Sequence, residues 1–119
     1  MKAMLRAWAP VVLYASLVLI LSLMPAQGGP AGYEDKFYHG TAYLVMACVF
    51  LRALYMTRPV GAFAAAVAAV LFASSFGAMV ELLQSLTATR TAEVLDALAN
   101  GAGAAVGSLI YLSIRSRKG

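Results

Sequence analysis

The sequence predicts an all-α membrane protein: a four-helix transmembrane bundle with both termini on the cytoplasmic side. Hydrophobic residues fill 62% of the 119 positions and charged residues only 12%, with mean hydropathy +0.81. That composition leaves too little polar surface to coat a core in water. The apolar residues gather in four runs, each near the ~20 residues a helix needs to cross the hydrocarbon of a bilayer. The basic residues collect on one side of those runs.

The first span is expected over residues 7–24, an uncharged run with Pro10 placed in its first turn, where proline is tolerated. Pro25, Gly28, Gly29 and Pro30 then end the helix and form a loop. The second span, residues 37–57, carries Arg52 near its end, where the long side chain can snorkel to the interface. The third, residues 60–85, follows Pro59 and has no charge before Glu81. The fourth covers residues 95–114.

With the N-terminus inside, Lys2, Arg6, Arg52, Arg58, Arg115, Arg117 and Lys118 all face the cytoplasm, seven of the nine basic residues. All five acids, Glu34, Asp35, Glu81, Glu93 and Asp96, then lie in or beside the outer loops with Lys36 and Arg90. A multi-pass membrane protein follows. In a soluble protein, a net charge of +4 would suggest a nucleic-acid partner; here the cations set topology, and no nucleic acid is expected. A competing reading takes residues 1–26 as a cleaved signal peptide, but a Met at the −3 position and a long apolar run argue for a retained helix. The single cysteine, Cys48, is expected to pack as a small hydrophobe.

Helical periodicity says which groups share a face. Gly61, Ala65, Ala69, Ala73 and Gly77 recur every fourth residue and lead to Glu81; Asp96, Asn100, Gly103 and Gly107 repeat the design on the fourth span. Asp35, His39, Tyr43 and Ala47 form the matching face of the second. Three helices therefore bring polar groups to one level, with His39 and Asn100 each ~6 Å deeper than Asp35 and Asp96. The small-residue stripes serve either the inside of one bundle or a homodimer.

Two elements in these faces carry a resemblance. Asp35-Lys36-Phe37-Tyr38-His39 with Tyr43 matches a D-K-x-x-H-x-x-x-Y pattern. Glu81-Leu82-Leu83-Gln84, Arg90, Asp96, Asn100, Gly103 and Gly107 match E-x-x-Q followed by R and D-x-x-x-N-x-x-G-x-x-x-G. Together they resemble the VanZ-like membrane proteins across residues 35–107, which implies one VanZ-like transmembrane domain over residues 1–119. Gly40 stands where the family usually has an aromatic, and Thr89 where it often has glycine. The family is named for a component of glycopeptide-resistance clusters linked to lowered teicoplanin sensitivity, so the resemblance implies a multi-pass protein of the inner (cytoplasmic) membrane and an antibiotic-resistance relative in the cell envelope; it supplies no reaction.

The polar residues suit a site open to the outer leaflet, where membrane lipids or a lipid-linked or cell-wall precursor could enter sideways. His39 would exchange protons with Asp35 orienting it, since imidazole is the side-chain type suited to that task near neutrality. Arg90 and Lys36 would hold a phosphate or carboxylate. Tyr43, Glu81, Gln84, Asp96 and Asn100 complete the ligand-binding set. Glu81 and Asp96 could also take a divalent cation, but one histidine and scattered carboxylates show no recognisable ligand spacing, so no metal is assigned and no cofactor is named. The leading expectation is a binding protein. The alternatives are an enzyme, a hydrolase or group transferase using His39 and Asp35, and a structural protein in which the polar groups only hold helices together. A transporter would need polar groups at both faces, and these lie at one.

Overall fold

The computed structural model describes residues 1–23, 33–86 and 94–118, except for the side chains of 33–37, 94, 95 and 118. It contains four helices, α1 (Lys2–Leu23), α2 (Tyr33–Thr57), α3 (Ala62–Ser85) and α4 (Val94–Lys118), and no strand among the described residues. All four are long and apolar enough to cross a membrane.

The helix ends follow local chemistry. In α2 the Thr57 hydroxyl turns back to the Ala53 carbonyl (2.9 Å), and Pro59 beyond it forbids another turn. α3 starts from Gly61, whose extended backbone (φ −71°, ψ 157°) lets its carbonyl accept the Ala65 N–H at 2.9 Å. α4 runs past Ile114 to Lys118, carrying the Arg115–Lys118 cations at the helix end where the backbone dipole favours them.

The expected position of Pro10 needs correction. Because α1 begins at Lys2, Pro10 lies inside the helix and not in its first turn. A proline there has no N–H for the carbonyl four residues back, which is that of Arg6. The Arg52 guanidinium reaches across from α2 and directs Nη1 at this carbonyl, 3.5 Å away. Arg52 thus does more than snorkel: it offers a donor to the backbone oxygen that Pro10 leaves without one.

α2 is the central helix. It has its broadest contact with α4, which also packs on α3; α1 leans on α2 and more lightly on α3, and does not touch α4 among the described residues. Glycine explains the α2–α4 intimacy. A Cβ on Gly103 would overlap the Gly40 carbonyl, and one on Gly107 would overlap the Leu44 carbonyl, so the backbones meet directly. Gly40, one of the two departures from the pattern the sequence resembles, is therefore part of this direct backbone contact. The Cys48 thiol lies 3.5 Å from the Gly107 carbonyl on the same seam.

The stripe on α3 is likewise spent inside the chain. Ala65, Ala69 and Ala73 are fully buried with Ala47, Leu51, Met46 and Ala104, while Gly61 meets nothing. Aromatic rings fill the wider gap toward α1: Phe50 stacks on Phe72 (centroids 4.7 Å apart), and Trp8 meets Phe50 edge-on (5.6 Å). The outward faces carry Leu13, Phe63, Leu71 and Leu109, whereas Glu81, Gln84, Asp96, Asn100 and Ser108 are buried. Apolar outside and polar inside is the arrangement a lipid solvent demands.

Candidate functional site

The three central helices form layers. His39 on α2, Glu81 on α3 and Asp96 on α4 occupy one layer; a turn further in come Tyr43, Gly77 and Asn100, and then Ala47, Ala73 and Ala104. The stack passes from ionisable to amide and phenol to methyl.

In the first layer, His39 Nε2 lies 3.9 Å from Asp96 Oδ2. One ligand atom each of His39, Glu81 and Asp96 falls within 4.8 Å of the others. Glu81 and Asp96 are each 7% exposed. Two carboxyl groups this close inside a membrane protein can both carry charge only with positive charge beside them.

In the second layer, the missing side chain of Gly77 makes the room. A Cβ there would sit 2.8 Å from Asn100 Nδ2 and 3.3 Å from a Tyr43 ring carbon. Asn100 is 2% exposed, and its Oδ1 has no hydrogen-bond partner among the described residues. An amide oxygen in that state costs ~1–3 kcal/mol. The glycine of the α3 stripe thus admits the polar side chain of α4.

Beside the layers, a cleft of ≈280 Å³ opens between α1 and α2. Leu17, Val18 and Leu21 form its apolar wall, and Tyr38, His39 and Gln84 its polar end. Two hydrogen bonds brace it. The Tyr14 hydroxyl donates to the Ala42 carbonyl (2.7 Å), and Gln84 Nε2 donates to the Ser22 carbonyl (2.7 Å). His39 belongs to both the cleft and the three-helix layer.

The fold brings together His39, Tyr43, Glu81, Asp96 and Asn100, and sets Gln84 at the edge. The backbone of Asp35 and Lys36 is part of α2 but their side chains lie outside the described residues, as does all of Arg90. The helix register differs from expectation by one turn: His39 stands level with Asp96 and not with Asn100, because Gly40 against Gly103 sets the sliding position of α2 along α4. Sequence reasoning missed Tyr14, read only as part of an apolar run. The signal was present, since a phenol inside a span needs a hydrogen-bond partner.

The VanZ/LLP1 family model matches residues 11–115. The chain belongs to the VanZ/LLP1 family. No curated protein and no solved structure matches it. The segment matched by the VanZ/LLP1 family includes parts of all four helices, and with them all three layers and the cleft.

Proposed function

We propose that this VanZ/LLP1-family protein binds the headgroup of a lipid-linked cell-envelope precursor in the outer leaflet of the inner membrane. The observation that carries the reading is the cleft between α1 and α2, where a hydrocarbon wall of Leu17, Val18 and Leu21 meets a polar end at Tyr38, His39 and Gln84. Such a cleft suits an amphipathic molecule: its chain replaces bilayer lipid along α1, while its headgroup meets the histidine, the amide and the buried acids behind them. Lys36 and Arg90 would supply cations for a phosphate. The asymmetry of basic residues supports the orientation, with the cleft at the non-cytoplasmic end. A groove lined by Tyr55, Tyr111 and Arg115 near the opposite end suits this role less, because no acid or imidazole is among its described lining residues.

Mass spectrometry of lipids retained by the purified protein tests the reading. Wild type should retain a lipid class enriched over the bulk membrane, and Leu17→Trp, which fills the cleft from its exposed rim, should lose it, as should Glu81→Ala and Arg90→Ala. Retained lipid of bulk composition in wild type sinks the proposal. In a host expressing the chain, lowered teicoplanin sensitivity that disappears with Leu17→Trp would tie the cleft to resistance.

The proximity of His39 to Asp96 favours one second reading, a hydrolase or transferase in which the carboxylate orients the imidazole. That reading predicts turnover of the retained lipid, abolished by His39→Gln with retention preserved.

A further inference from the structure

We infer that His39, Glu81 and Asp96 bind one divalent transition-metal ion, Zn²⁺ or Mn²⁺, between α2, α3 and α4. The site shares His39 with the cleft, but the inference does not depend on what occupies the cleft. Its first support is geometric. Three ligand atoms within 4.8 Å of one another leave a central point no more than ~2.8 Å from each, against ~2.0–2.2 Å for zinc bonds to nitrogen and oxygen. Side-chain movements under ~1 Å therefore close the site without moving a helix.

Charge is the second support. Glu81 and Asp96 together bring two negative charges into a site facing the helix interior. A dication neutralises both, and a neutral imidazole adds a lone pair without adding charge. The mixed set of one nitrogen and carboxylate oxygens suits Zn²⁺ or Mn²⁺ better than Mg²⁺ or Ca²⁺, which prefer oxygen alone.

Asn100 is an independent third support. Its Oδ1 is an unpartnered acceptor among the described residues, in a side chain 2% exposed on the same α4 face one turn beyond Asp96; its Nδ2 lies against Gly77. A carbonyl-type oxygen beneath a cation site serves either as a further ligand or as acceptor for a metal-bound water. Three or four protein donors would leave room in the coordination sphere for water or a ligand.

The test uses the full chain in detergent, freed of any purification tag and stripped with a chelator, then titrated with Zn²⁺ or Mn²⁺ alone. Binding of about one ion per chain is expected, with a raised thermal midpoint that the chelator reverses. Asp96→Asn and Glu81→Gln should abolish the binding, and Asn100→Leu should weaken it roughly 10–100-fold. Because His39 is the only histidine in the chain, wild type itself gives a readout that survives any misfolded variant: bound Mn²⁺ should show nitrogen coupling from one imidazole in pulsed EPR. Absence of stoichiometric binding, absence of that coupling, or unchanged affinity in well-folded Asp96→Asn would overturn the inference. Wild type that retains a selected lipid but binds no metal removes this site alone; wild type that binds metal but retains lipid of bulk composition removes only the lipid reading.

Discussion

Replacing Gly103 by alanine should force α2 and α4 apart. The added Cβ would overlap the Gly40 carbonyl oxygen and approach its carbon and Cα to 2.8 and 2.9 Å, where apolar contacts normally settle near ~3.5–4.0 Å. Every one of these atoms is backbone, so no rotamer change relieves the overlap and a helix must move by roughly 1 Å. A gap of ~0.5–1 Å already forfeits a quarter to a half of each neighbouring dispersion contact. Along a seam that also includes Leu44 against Gly107, the cost belongs at the upper end of overpacking, ~3 kcal/mol. Thermal unfolding of the purified protein in detergent, followed by the monodisperse fraction that survives heating, measures it. Gly61→Ala is the control, because nothing lies within 4 Å of a Cβ there. Gly40→Ala is the discriminating variant: its Cβ would meet the Ala99 carbonyl at 3.7 Å, an ordinary contact, so two glycines facing one another should respond unequally. Gly103→Ala as stable as Gly61→Ala would refute the reasoning.

Gly77→Ala should be milder, ~1 kcal/mol, because its Cβ meets the movable amide of Asn100; the displaced amide should weaken metal binding more than stability, as titration would reveal. Tyr14→Phe removes the bond to the Ala42 carbonyl and should cost ~0.6 kcal/mol, the average for such bonds in membranes, seen as a small fall in thermal midpoint. Arg52→Leu should destabilise the wild type yet have little effect in Pro10→Ala, where alanine restores the intrahelical N–H; additive effects in that double-mutant cycle would separate the two residues. Single cysteines introduced at Lys2 and Arg117 of a Cys48→Ala chain should resist impermeant labelling from outside; labelling at either would reverse the proposed orientation.

Much of this protein is legible in one dimension. Four apolar runs became four helices with boundaries displaced by only a few residues, because a bilayer sets both the length and the polarity of anything that crosses it. The small-residue stripes and their polar ends were readable for a related reason: fourfold spacing places residues on one helix face whatever that face meets. Periodicity could not say what each face meets. Pro10 moved from a helix start to a helix interior because α1 extends back through Arg6 to Lys2, and only the approach of Arg52 from another helix makes sense of the carbonyl it exposes.

The same division governs the candidate site. Residue chemistry identified His39, Glu81, Asp96 and Asn100 as the groups worth watching, since ionisable and amide side chains are costly inside a membrane. Their spacing along the chain suggested no metal, because the donors come from three separate helices and sequence distance carries no information about such a set. Their meeting depends on how far α2 slides along α4 and how closely it approaches, and both are settled by steric contact of Gly40 and Leu44 with Gly103 and Gly107. Hydrophobicity thus sufficed to determine that the chain lies in a membrane as helices, while the short-range repulsion of backbone atoms, summed over one glycine seam, decided which polar groups became neighbours.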